Sequence, residues 1–314
     1  MLMIIAAIAI VALWVWWTYP RVGSVLFDVI AYIEARRSRL KALRVAIKGM
    51  TLATYQGGSH SAPALLLLHG FSADKGVWLR FARYFVDGYR VIIPDLAGHG
   101  KNAFVPGGDY GIEAQARRMI ALLDACQIDK VHVIGSSMGA YIASWLASHY
   151  PQRVLSLGLI GAAGVLLPQP NEVEELVNGG DNPFLIHSRA EFDRFFAMTM
   201  AAPPRVPEVL LAAEANLYIK RRAELAEIFS DFQDSPRMEP WLSKVQVSCL
   251  ILWGHEDRMV PVASAHTWLA GIPHAKLEVI EGVGHLPMIE CTEHTAALCH
   301  AFLAGAKVYA SIRP

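Results

Sequence analysis

No charge of either sign dominates this chain: Lys plus Arg and Asp plus Glu each total 28 in 314 residues, a formal net charge of zero. Phosphate polymers are bound through an excess of basic side chains, so nucleic acid is a poor match as a partner. Charged residues are scarce altogether, at 18% against 54% apolar. That composition argues against long disordered stretches and allows a sizeable core, and the length suits one large domain with an insertion or two modest domains. Cysteine is sparse too. Cys126, Cys249, Cys291 and Cys299 include no CxxC pair. Cys291 and Cys299 fall on one expected helix, ~12 Å apart and beyond disulfide reach. Free thiols follow, as in a reducing compartment.

Charge is missing entirely from residues 1–17, MLMIIAAIAIVALWVWW. This run just reaches the ~17–25 residues a spanning helix needs. Trp14, Trp16, Trp17 and Tyr19 gather at its end like an interfacial belt, and Pro20 closes it. A cleaved export signal needs a basic start, which is absent, and the early small-x-small site, Ala7-Ile8-Ala9, follows too few apolar residues. Residues 1–20 are therefore read as a single-pass membrane anchor, with an export signal as the alternative and a buried core helix as a third reading. Arg21, Arg36, Arg37, Arg39, Lys41, Arg44 and Lys48 follow in a basic juxtamembrane segment, 21–49. By the positive-inside rule they place the rest of the chain in the cytoplasm. Residues 22–33 are mostly apolar and either lie along the bilayer or pack on the domain as an ordinary helix.

From about residue 50, short apolar runs alternate with helical patterns. Residues 64–68, 90–93, 131–134, 154–160, 249–253 and 276–280 read as strands. Residues 112–126, 140–149, 263–270 and 293–303 read as helices. Most of the strands are apolar throughout, as when helices cover both faces of a sheet, so the expected fold is α/β with a mostly parallel, doubly wound sheet. The alternation lapses over 166–242, which is helical in pattern and rich in proline. It is read as a helical cap inserted before a later strand, leaving 50–165 and 243–306 as the core.

The chemistry starts at Gly135-Ser136-Ser137-Met138-Gly139, a G-x-S-x-G between a strand and a helix. A turn this tight needs glycine on both sides of Ser137 and thrusts its hydroxyl above the sheet, while Ser136, in the x position, points elsewhere. A nucleophilic serine needs a base and a group to orient that base. Two later strands end in polar loops at the same sheet edge: one carries Glu256 and Asp257, the other Gly284-His285. Asp257 is the expected acid, with Glu256 its nearest rival, and His285 the expected base. His99 and His255 read as loop structure. A further strand, 64–68, ends in His69-Gly70-Phe71.

That loop, Pro94-Asp95-Leu96-Ala97-Gly98-His99-Gly100, the Ser137 turn and Trp253-Gly254 through Asp257 before His285 together resemble the α/β-hydrolases over residues of about 50–306. The resemblance implies oxyanion donors in the backbone N–H groups of Phe71 and Met138, with His69 structural. Leu68-His69-Gly70-Phe71-Ser72-Ala73-Asp74-Lys75 with Trp78, and Asn182-Pro183-Phe184-Leu185 in the cap, resemble membrane-bound monoacylglycerol lipases and bacterial esterases. Those enzymes hydrolyse acylglycerols and simple esters and use neither cofactor nor metal. A lipid-like ester is then the expected substrate, with no obligate protein partner. Ala140 stands where that group usually has a second glycine. Phe192, Phe195, Phe196, Met198 and Met200 in the cap either line an acyl tunnel, with Phe71 and Leu286, or form the cap's own core.

Two rivals remain. Carbon–carbon hydrolysis of ring-cleavage products runs on a similar triad, but that group commonly has Trp where Leu286 stands and wants a cap arginine such as Arg194 or Arg205. A non-catalytic binding protein on the same fold has no use for a full triad and oxyanion loop.

Overall fold

The computed structural model describes the backbone of residues 2–167 and 170–312, and the side chains of these except 2–18, 20 and 306–312. The chain opens with α1 (Leu2–Arg37), then β1 (Lys41–Ile47), β2 (Met50–Gly57), β3 (Ala64–Leu68), α2 (Leu79–Ala82), β4 (Arg90–Pro94) and α3 (Ile112–Ala125). There follow β5 (Val131–Ser136), α4 (Met138–His149), β6 (Val154–Ile160), α5 (Glu172–Asn178), α6 (Arg189–Thr199) and α7 (Glu208–Gln233). It closes with β7 (Cys249–Gly254), α8 (Ala263–Gly271), β8 (Ala275–Ile280), α9 (Pro287–Glu290) and α10 (Thr292–Ile312).

The eight strands lie in the order β1-β2-β4-β3-β5-β6-β7-β8. Every pairing from β4 to β8 is parallel. The apolar runs have a direct cause, seen in β3. Leu66 and Leu68 enter a core with Met119 of α3, Ile142 of α4 and Trp268 of α8. Leu65 and Leu67 enter a second core with Ala35 of α1, Phe81 of α2 and Leu303 of α10. A strand covered on both faces has no polar side to show.

Residues 41–47, assigned from the sequence to a basic juxtamembrane stretch, are a sheet strand. β1 pairs antiparallel with β2, from Lys41 opposite Gln56 to Ile47 opposite Met50. It is an edge strand with its first four residues exposed. Charges such as Lys41 and Arg44 are what an edge strand carries to discourage pairing with another chain, so the basic cluster had a second physical reading.

The expected single-pass anchor with a cytoplasmic body is not sustained. Among the described residues no helix is long and apolar enough to cross a membrane, and the side chains of 1–18 lie outside the described residues. Nor does the helix stop at residue 20: α1 continues to Arg37 and its second half packs on the protein body. A Cβ on Gly23 would meet the Val209 carbonyl oxygen of α7 at 2.1 Å. Ala35 is buried, and Lys101–Asp28 (2.9 Å) and Arg80–Glu34 (3.5 Å) join α1 to the core. Residues 22–33 are therefore helical and touch the domain at Gly23 and Asp28, while Val22, Val25, Leu26, Phe27, Val29, Tyr32 and Ile33 stay exposed.

Between β6 and β7 the cap is α5, α6 and α7. Val173, Ile186, Phe192, Phe195, Met198 and Ala215 give it a core of its own.

Candidate active site

Ser137 lies between the end of β5 and the start of α4 with φ 54 and ψ −120, a strained conformation for a residue with a side chain. Both flanking glycines are required by contact. A Cβ on Gly135 would lie 2.1 Å from the Gly139 oxygen, and one on Gly139 would lie 2.3 Å from the Leu68 oxygen. Met138 opens α4, so its N–H is among the first-turn donors that lack an intrahelical acceptor. The loop after β3 comes close: a Cβ on Gly70 would sit 3.1 Å from the Ser137 Cβ.

Asp257, in the loop after β7, and His285, after β8, are both buried, and His285 Nδ1 lies 2.7 Å from Asp257 Oδ2. The other carboxylate oxygen of Asp257 accepts from the N–H groups of Met259 and Val260, each at 2.9 Å. The His285 N–H donates to the Thr199 carbonyl at the end of α6 (3.0 Å), so the histidine loop is held by the cap. Glu256 points away and pairs with exposed His255 at 3.1 Å. The proximity of Glu256 and Glu281 raises the His255 pKa.

The remaining histidines near the site are structural. His69 is wholly buried, its Nδ1 2.8 Å from the Gly70 oxygen and its Nε2 accepting from Leu96 N–H at 3.0 Å. Burial lowers its pKa and drives that of His99, beside it, down to about 3. Asp95 anchors the other end of the loop: it accepts from the Lys75 N–H (2.9 Å) and the Lys101 N–H (2.8 Å) and pairs with the Lys75 ammonium. The Pro94–Gly100 motif thus ties the loop after β3 to the end of β4.

Ser137 and His285 face one cavity of about 1120 Å³. Of the residues expected to bind substrate, Phe71, Phe192, Phe195, Phe196, Met200 and Leu286 line it; Met198 turns into the cap core instead. Phe192 and Phe195 belong to both the wall and that core, so the two readings of the cap aromatics are not exclusive. Phe184, Phe229 and Phe232 also line the cavity, and each stacks on or meets the Phe71 ring with centroids 5.4–6.4 Å away. Nothing in the local sequence marks Phe229 and Phe232, since helix faces of α7 are distinguished only by what they pack on, whereas Phe184 belongs to the Asn182-Pro183-Phe184-Leu185 motif. Arg194 and Arg205 are not in the wall, and Arg194 pairs at the surface with Asp181 at 3.7 Å.

These features match a known group. Residues 63–291 fit the alpha/beta hydrolase fold. The chain belongs to that family. It is 33% identical over 268 residues to Lipase 1 of Psychrobacter immobilis, covering 82% of this chain and 83% of that one. It is 25% identical over 264 residues to the monoacylglycerol lipase ABHD6 of Bos taurus, covering 80% and 78%. The crystal structure of a membrane phospholipase A, a bacterial virulence factor, superposes with a TM-score of 0.89 at 32% identity over 98% of both chains. This α/β-hydrolase is an ester-hydrolysing enzyme of the lipase type.

Glu214 of α7 also lines the cavity. Burial, with Asp74 nearby, raises its carboxyl pKa from 4.5 to about 7. A carboxyl raised in the folded state contributes no penalty below its unfolded pKa and costs stability as pH rises through the folded value. Wild-type protein is therefore expected to lose stability between about pH 5 and pH 8. Glu214→Gln should remove part of that loss, on the order of 1–3 kcal/mol after allowing for solvent in the cavity. Urea unfolding of both proteins at pH 5, 6.5 and 8 measures it, and parallel curves would refute the assignment.

Proposed function

We propose that the enzyme hydrolyses lipid-like carboxylic esters bearing one acyl chain, monoacylglycerols and medium-chain acyl esters, through an acyl-enzyme on Ser137. The observation that carries this is the buried Asp257–His285 hydrogen bond at 2.7 Å opening onto the same cavity as the strained Ser137 turn. Asp257 accepts the proton on His285 Nδ1, which leaves Nε2 unprotonated as the base. Ser137 Oγ attacks the ester carbonyl as Nε2 takes its proton. The carbonyl oxygen, now negative, is stabilised by the N–H groups of Phe71 and Met138, and the protonated imidazole returns the proton to the departing alcohol. Water then repeats the sequence on the acyl-enzyme, freeing the acid and Ser137. One oxyanion donor contributes roughly 3 kcal/mol at the transition state.

The relatives named above support the class of substrate, and the cavity supports the number of chains. Its volume is slightly above the ~300–1,000 Å³ typical of small-molecule pockets, room for one acyl chain under the cap aromatics rather than three. Ring-cleavage dienoates carry a carboxylate; the two cap arginines looked to for it, Arg194 and Arg205, are not in the wall, and Arg221, which is, already engages Glu224 and the Gly98 carbonyl.

A fluorophosphonate should label Ser137, read by peptide mass spectrometry; labelling of Ser136 instead would overturn the mechanism. A series of p-nitrophenyl esters, with monoacylglycerols, triacylglycerols and a ring-cleavage dienoate, tests the substrate class. Monoacylglycerols and medium chains are expected to lead in kcat/KM. A lead by long-chain triacylglycerol, or turnover of the dienoate alone, would reject it.

A further inference from the structure

The loop after β3 is fastened at both ends from within the core: His69 bonds Gly70 and Leu96, and Asp95 holds the Lys75 N–H. Its middle is Phe71-Ser72. Ser72 has φ 61, a left-handed conformation disfavoured for any residue with a Cβ. Because the loop is pinned at His69 and at Lys75, a relaxation of Ser72 to negative φ would have to be absorbed by the backbone at Phe71, whose N–H lies one peptide unit away.

Tyr218, on α7 of the cap, reaches this residue from 146 positions along the chain. Its hydroxyl lies 3.0 Å from Ser72 Oγ and donates to the Ser72 carbonyl at 3.3 Å. Both contacts can form together, with Ser72 Oγ donating to the tyrosine oxygen while the tyrosine hydrogen goes to the carbonyl. The ring is held between Phe192 and Phe195, each with its centroid 5.5 Å away. Burial, with Glu214 one turn earlier, raises the phenol pKa, so the hydroxyl keeps its proton.

We propose that Tyr218 is a positioning residue, whose hydroxyl holds Ser72 in its left-handed conformation and thereby keeps the Phe71 N–H aimed at the oxyanion. This rests on Phe71 as an oxyanion donor, as set out above. It makes the seating of the cap a condition for stabilising the transition state, because the tether comes from α7 and its ring is held by α6.

The test uses the purified full chain and p-nitrophenyl butyrate. Tyr218→Phe keeps the ring and removes the tether. It should lower kcat about tenfold or more, since small misplacements of catalytic groups are costly, and change KM less than about twofold. The inhibition constant of a trifluoromethyl ketone, whose adduct places an oxyanion in the same site, should rise by the same factor as kcat falls. Adding Ser72→Gly to Tyr218→Phe should recover most of the loss, because glycine adopts positive φ without a tether. An unchanged kcat, a rise in KM alone, or a loss that Ser72→Gly does not relieve would overturn the proposal. Failure of the underlying mechanism is told apart by wild-type protein in which fluorophosphonate does not label Ser137.

Discussion

Ser137→Ala is expected to lower kcat for ester hydrolysis by about 10⁶-fold, leaving only the residual contribution of binding and the oxyanion donors. On the proposed mechanism the loss is this large because alanine removes the hydroxyl that His285 would deprotonate. Ser136, its neighbour, is wholly buried as the last residue of β5. Alanine retains the Cβ, so the strained φ of 54 persists and the fold should be unaffected. Ser137→Gly should be as inactive but melt higher, because glycine accepts that conformation without cost. Hydrolysis of p-nitrophenyl butyrate and thermal melts on the three proteins check both halves. Activity in Ser137→Ala beyond a hundredth of wild type would exclude Ser137 as nucleophile.

Asp257→Asn should lower kcat about 10⁴-fold with the protein still folded. An asparagine oxygen can still accept from the Met259 and Val260 N–H groups, which keeps the loop in place. Its amide then faces His285 as a donor, so Nδ1 must accept and the ring proton moves to Nε2. A histidine in that tautomer has no lone pair to offer Ser137. Glu256→Gln, by contrast, removes only an exposed partner of His255 and should stay within about twofold of wild type, since surface pairs contribute little. The reverse ranking of these two variants in kcat would show that the wrong carboxylate has been assigned.

What the sequence by itself determined is local or set by period. Apolar runs such as Leu65–Leu68 specify strands covered on both faces, and G-x-S-x-G specifies its turn because any side chain at Gly135 or Gly139 collides with backbone. The placement of Asp257 and His285 in loops after β7 and β8 was legible from the apolar strands that precede them. Tertiary structure alone decided the rest, since packing partners distant in the chain leave no mark on local pattern. A charged stretch became the edge strand β1 once β2 was beside it, and the helix of residues 22–33 met the domain at Gly23 once α7 supplied a surface. Met198 and Met200 are alike in composition and two residues apart, yet one enters the cap core and the other the cavity wall. Tyr218 shows the same limit at the site itself: its meaning lies in Ser72, 146 residues away, and only the fold brings the two hydroxyls within 3.0 Å.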